Sequence, residues 1–339
     1  MKIIFDAMGG DNAPDEIVKG ALDASKEFGV EIILCGRGEE VLRILERFGV
    51  KGLPRGVELV DASEVIGMED NPANAVRDKK DSSLAVGLTL LRDGRGDALV
   101  SAGSTGAILS GATLIVKRVR GIRRAALAPF IPNAAGGFIL IDSGANVECT
   151  PEYLLQFAFM GSYYAQDVLK IETPRVGLLN NGVEPTKGRP LHIEAHEMLM
   201  KATNDGYLKF IGNVEAKDVM LGACDVLVCD GFSGNILLKS LEGMATFILS
   251  ELQSIFKSSF LTQFSAILVK KRLRGLKSRM NPDTVGGTIL LGVTKPVIKA
   301  HGSSNAAAIV GAVRQAISAV EANAASRLSE NISRMKIDE

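Results

Sequence analysis

Short apolar runs alternate along the chain with longer amphipathic stretches, and most runs end in glycine, serine or Asx residues. Ile3 to Phe5, Val30 to Cys35 and Val57 to Val60 read as buried strands. A helix entered at Pro14 is predicted to run to about Phe28, and a second covers Glu39 to Phe48. Helical patterns follow near Pro72 to Arg77 and from Ser83 to Arg92. The stretch Asp97 to Leu109 reads as a strand, a Gly/Ser/Thr turn and a helix continuing to about Val119. Leu127 to Ile131 and Phe138 to Ile141 read as neighbouring strands, and Pro151 opens a helix to about Leu169. A strand at Arg175 to Leu179 precedes a helix from Pro190 to about Ala202. Leu208 to Ile211 and Val226 to Cys229 are strands around a short helix. A long helix is expected from about Ile236 to Phe256, then a basic amphipathic segment to Met280. Thr284 to Leu291 is predicted helical, Pro296 to Lys299 a strand, and Asn305 to about Arg327 the last helix.

This alternation predicts an α/β fold with a largely parallel or mixed sheet flanked by helices. Residues 1–339 are expected to form one catalytic unit of two lobes with a cleft between them. In open α/β sheets ligands bind at the carboxyl ends of the strands. The turns at Asp6–Asp11, Ser101–Gly106, Asp142–Asn146, Asn180–Gly188, Cys229–Asn235 and Ala300–Asn305 therefore predict one shared site. Gly103 and Gly106 permit a tight turn, and free N–H groups at the helix start favour an anion.

Composition narrows the class. Hydrophobic residues make up 46% of the 339, which is globular, and 36 glycines suit many tight turns. Lys plus Arg and Asp plus Glu both number 39, so the balance gives no reason to expect nucleic acid. Cys35, Cys149, Cys224 and Cys229 form no C-x-x-C pair and read as reduced thiols of a cytoplasmic protein. The chain enters a strand at once, with no signal-peptide pattern, and no uncharged run reaches membrane-spanning length.

Familiar motifs are mostly absent. Gly9-Gly10-Asp11-Asn12 is not a dinucleotide fingerprint, Gly36-Arg37-Gly38 lacks the third glycine, and there is no Walker pattern. Ala102-Gly103-Ser104-Thr105-Gly106 nearly matches a nucleophile elbow, so a serine acyl hydrolase using Ser104 with His301 is one reading. His192 and His196 lie one turn apart without the metalloprotease pattern, and are expected as partly exposed polar residues of an amphipathic helix. Lys187, in a proline-bounded turn, offers positive charge to an oxyanion or phosphate. In Leu252 to Met280 an apolar stripe containing Phe260, Phe264 and Leu268 leads into a cluster containing Lys270, Lys271 and Arg272. Such a basic helical projection suits anionic lipid, an acidic protein or a dimer partner.

Taken together, Asp6–Asp11, Ser101–Gly106, Asp142–Asn146, Gly182-x-Glu-x-x-Lys-Gly188, Gly212–Glu215, Cys229–Asn235 and Ala300–Asn305 resemble the bacterial phosphate acyltransferases of phospholipid synthesis. The resemblance runs from residue 5 to about 310. It implies a fold similar to isocitrate/isopropylmalate dehydrogenases and phosphotransacetylase. It also implies transfer of a fatty acyl group from acyl carrier protein to inorganic phosphate, the acyl phosphate then feeding a membrane glycerol-3-phosphate acyltransferase. Members are homodimers, and some associate peripherally with the membrane. No NAD, other cofactor or metal is carried over.

With that chemistry, Lys187, His301 and Asn235 are the expected catalytic residues. Gly10, Asp11, Gly103, Ser104, Thr105, Gly106, Asn181, Glu184, Ser233, Gly234 and Asn305 are expected to bind phosphate or substrate. A non-catalytic acyl or phosphometabolite binder is the third reading.

Overall fold

The computed structural model describes residues 1–259, 262–265, 269, 272, 275 and 286–335. Uniformly apolar strands need cover on both faces, and the early runs accordingly form parallel strands between helices. β1 (Lys2–Asp6), β2 (Glu31–Gly36), β3 (Val57–Asp61) and β4 (Ala98–Ser101) lie parallel. They join β5 (Ala126–Ala128), β11 (Thr288–Leu291) and β12 (Val297–Lys299) in a seven-stranded sheet of order β3-β2-β1-β4-β12-β11-β5. β12 runs parallel to β4, while β11 is antiparallel to both its neighbours.

A second sheet has the order β6-β7-β10-β8-β9. Its strands are β6 (Phe130–Ile131), β7 (Phe138–Ile141), β8 (Arg175–Leu179), β9 (Lys209–Val214) and β10 (Val226–Val228). Only β6 pairs antiparallel there. The mixed α/β class is as expected, with two sheets in place of one.

Helix α1 (Asp15–Phe28) packs against the helix Ala306–Ala322 over the first sheet. Helix α6 (Pro151–Asp167) buries every residue from Leu154 to Ala165 and fills the core beside the second sheet. A helix apolar on all sides has to be enclosed in this way. Among the described residues no helix is long and apolar enough to cross a membrane.

Four expectations need correction. Residues 288–291 form a strand, not the end of a helix: Gly286 and Gly287 hold φ of 78° and 80°, which ends any helix, and the apolar run is taken up between β12 and β5. Leu127 to Ile131 is not one strand. Pro129 cannot donate to a ladder, and the chain leaves the first sheet and enters the second there. The long helix α9 (Gly231–Lys257) starts before Ile236, because Asp230 caps it by accepting from Ser233 N at 2.9 Å. The last helix breaks at Asn323, whose φ of 47° is left-handed.

The packing of α1 on the helix Ala306–Ala322 depends on Gly20, where an added Cβ would lie 2.5 Å from Ile309 Cβ. Gly20→Ala is therefore expected to cost about 1–3 kcal/mol by overpacking, outweighing its gain in helix propensity. Urea unfolding of the two proteins measures the difference.

Candidate active site

β1, β4 and β12 are near neighbours, so their carboxyl ends and following turns lie side by side. Asp6, the last residue of β1, is buried, and its two carboxylate oxygens accept from Ser83 Oγ at 2.5 Å and Ser101 Oγ at 2.6 Å. Ser101 Oγ in turn accepts from Gly103 N at 3.1 Å, which fixes the start of the 101–106 turn. Burial pushes the Asp6 carboxyl above its ordinary range, and the two hydroxyls pull it part of the way back. Gly10 holds φ of 108° where a Cβ would lie 2.9 Å from Ala102 Cβ. This close approach lets Asp11 N donate to Gly302 O at 2.8 Å, so the turns after β1, β4 and β12 share one rim.

The second sheet repeats the device. Asp142, after β7, is buried and accepts from Leu127 N at 2.9 Å, Ala145 N at 3.1 Å and Asn146 N at 2.6 Å. Burial again raises its carboxyl, against these donors. Asp230, after β10, is likewise buried and accepts from Ser233 Oγ at 2.9 Å and Arg189 Nη2 at 3.0 Å. Gly144 closes on Asn235, whose Cβ would be 3.5 Å from a side chain added there.

The two rims face each other across a cleft of about 760 Å³. Its polar lining includes Asp11, Thr105, Asn235, Lys239, Lys299 and His301. Its apolar lining comes from Leu238, Leu241, Met244 and Ile248 on α9 and from Phe130 and Ile131. His301 Nδ1 lies 2.8 Å from Ser303 Oγ and accepts from Ser303 N at 3.3 Å. A backbone N–H can only donate, so the neutral ring carries its proton on Nε2, which is free to donate.

The expected site residues divide by place. Asp11, Thr105, Asn235 and His301 line the cleft. Gly10, Gly103 and Ser104 form its rim; Ser104 begins α5 (Thr105–Gly111), and its hydroxyl makes no capping bond. Gly106 packs on Pro72, where a Cβ would approach to 2.6 Å. Ser233 serves the Asp230 cap, and Gly234 lies so close to Asp142 O that a Cβ would sit 1.9 Å away. Asn305 caps the helix Ala306–Ala322, accepting from Ala308 N at 3.0 Å. Asn181, Glu184 and Lys187 are exposed in the turn after β8 and do not line the cleft; that turn is tied to it through Arg189 and Asp230.

His192 and His196 are buried on α7 (Pro190–Asn204), not partly exposed. His196 Nδ1 lies 3.1 Å from Asn213 Oδ1, and its ring packs edge-on to Phe210. In the basic segment, Phe264 and Arg272 are exposed, while Phe260, Leu268, Lys270 and Lys271 lie outside the described residues.

Sequence reasoning missed Lys299, Lys239, Ser143 and the apolar wall of α9. Lys299 was detectable in principle, since a charge at the carboxyl end of an otherwise apolar strand points to a site.

Comparison with known proteins agrees with this fold. The solved structure of a phosphotransacetylase from Streptococcus pyogenes has the same fold, with a TM-score of 0.62 at 20% identity over 96% of this chain and 94% of that one. A 4-hydroxythreonine-4-phosphate dehydrogenase from Klebsiella pneumoniae superposes with a TM-score of 0.54 at 12% identity, over 94% of this chain and 98% of that one. The class is thus the α/β fold shared by phosphotransacetylases and this dehydrogenase group. Residues 1–327 match the family described as fatty acid synthesis protein. The phosphate acyltransferase of Thermoanaerobacter pseudethanolicus is 46% identical over 99% of this chain and 98% of its own. That of Lactococcus lactis subsp. cremoris is 42% identical over 99% of both. The chain belongs to this phosphate acyltransferase family, the acyltransferases of lipid synthesis.

Ser101→Ala removes a donor from a buried carboxylate and loosens the Gly103 turn. It is expected to cost about 1–3 kcal/mol at neutral pH. The lost bond favours the ionised form of Asp6, so the cost shrinks as acid protonates that carboxyl. Urea unfolding at pH 7 and at acid pH measures both values.

Proposed function

We propose that the chain transfers a fatty acyl group from acyl carrier protein to inorganic phosphate, giving acyl phosphate and free carrier thiol. The observation that carries this reading is the cleft itself, which is lined both by donors and cations and by many apolar side chains. Such a shape suits a small anion meeting the head of an acyl chain.

The chemistry asks for little acid or base. Inorganic phosphate near neutral pH is already substantially dianionic, though less so than a phosphate ester with its second pKa of about 6. The leaving group is a thiolate whose parent thiol has a pKa of about 8.5. A phosphate oxygen attacks the thioester carbon, and its carbonyl oxygen gathers negative charge. Collapse breaks the C–S bond and the sulfur leaves with the electron pair. His301 Nε2–H and the Asn235 amide donate to the oxyanion or the departing sulfur. Ser104, Thr105 and Gly106 offer backbone and hydroxyl donors to phosphate, Gly103 shapes the turn with its N–H on Ser101 Oγ, and Lys187 adds longer-range charge from the turn after β8, outside the cleft lining. This is positioning and electrostatic stabilisation, with no covalent enzyme intermediate. The serine hydrolase reading is disfavoured because His301 Nδ1 accepts from Ser303 N, which leaves the neutral ring's proton on Nε2, the nitrogen that would have to take one from Ser104.

Two finer points belong to the same reading. Much of α9 faces outward, with Phe232, Ile236, Phe247 and Ile255 exposed, which supports a homodimer contact along it. Exposed Phe264 and the basic cluster support a projection at 252–280 that reaches the membrane surface, where the product is consumed. One unit with two lobes is the domain arrangement that fits the two sheets and the cleft between them.

Three outcomes are expected. Thioester cleavage requires phosphate; cleavage without it would mean a hydrolase, and none a binder. His301→Ala and Lys187→Ala each lower turnover by about one to three powers of ten, while Ser104→Ala weakens phosphate use by about 1–3 kcal/mol without abolishing turnover. Replacing Phe264 with a polar residue lowers co-sedimentation with anionic vesicles and leaves soluble turnover intact.

A further inference from the structure

Lys299 ends β12, in register with Ser101 of β4 on one side and Thr288 of β11 on the other. This places a cation at the carboxyl end of a central strand, immediately before the turn that carries His301. The side chain is half-buried and lines the cleft. Its ammonium donates to Ala300 O at 2.6 Å, and among the described residues no carboxylate lies within ion-pair distance of it. The titratable groups that line the cleft with it are Asp11 from the turn after β1, His301, and Lys239 and Glu242 from α9, of which Asp11 and Lys239 act on it electrostatically. Lys239 has its own partner in Glu242 at 2.7 Å. Lys299 is thus a cation drawn out of water without an anion to match it, in a cleft whose proposed reaction brings one.

We propose that Lys299 is the cleft's own anchor for the inorganic phosphate, holding it beside His301 and the 101–106 turn. This deepens the acyl-transfer reading and rests on it. An ammonium partly drawn out of water without a carboxylate is costly, and a bound dianion offsets that cost. The assignment also orders the cleft, with phosphate at the end of the first sheet and the acyl chain along α9. Burial, with Lys239 nearby, pulls the Lys299 ammonium down to about 8. The sign follows: the protonated form binds phosphate, so binding weakens as pH rises through that region, where phosphate itself is already dianionic.

Steady-state rates with purified acyl carrier substrate and varied inorganic phosphate test the proposal. Lys299→Met is expected to raise KM for phosphate by about tenfold or more and to leave KM for the acyl donor nearly unchanged. Lys299→Arg, which keeps the charge, is expected to restore most of the phosphate affinity. In the unaltered enzyme KM expressed as phosphate dianion should rise between pH 7 and pH 9, and in Lys299→Arg this rise should flatten. If Lys299→Met does not fold, that pair of pH profiles decides the matter. A normal phosphate KM in folded Lys299→Met, a rise confined to the acyl donor, or pH profiles that do not differ would overturn the assignment. Cleavage by the unaltered enzyme without phosphate would instead overturn the acyl-transfer reading beneath it.

Discussion

Two buried carboxylates hold the working end of this molecule in shape. Asp6 and Asp142 each close a strand and sit out of contact with water. A carboxylate in that position is tolerable only if its lone pairs are filled, and each recruits its donors from the turns around it. Asp6 takes hydroxyls from Ser83 and Ser101. Asp142 takes backbone N–H groups from Leu127, Ala145 and Asn146. The need to satisfy two charges thus dictates the path of several otherwise independent segments. Glycine does the complementary work: Gly10 and Gly234 let backbones approach where a Cβ would collide.

This division of labour explains the sparse look of the site. Residues that resembled ligand contacts, Ser233, Gly234 and Asn305, are occupied in building the turns. What is left facing the cleft is a small polar set among many apolar side chains. A reaction that joins an already ionised nucleophile to an activated ester needs orientation more than proton transfer, and that economy is consistent with such a site.

The strands and most helices were legible because their apolar periodicity is strong and local. Ser83 to Arg92 was read to the residue, and the turns at 101–106 and 300–305 were correctly grouped. The failures share one cause, dependence on distant partners. Residues 288–291 become a strand because β12 and β5 leave a place between them, while the local pattern suits a helix equally. Exposure of His192 and His196 was misjudged because their cover comes from other elements, as Phe210 and Asn213 do for His196. Lys299 is not legible as a site residue from its own stretch because its meaning lies in what surrounds it: Asp11 and Lys239 come from distant parts of the chain. Seven short motifs carry the resemblance to the family, but only the folded chain shows which of them face the cleft.

The segment around Pro129 has a consequence of its own. β5 belongs to one sheet and β6 to the other, with a single residue between them. Leu127 N donates to Asp142, and Ser143 N donates back to Leu127 O at 3.0 Å. The two halves are therefore clasped on this side by covalent chain and by paired hydrogen bonds. A receptacle clasped along one side has its pivot there. The wall nearest residues 127–131 is then the part that moves least, and its contour is what sorts one guest from another.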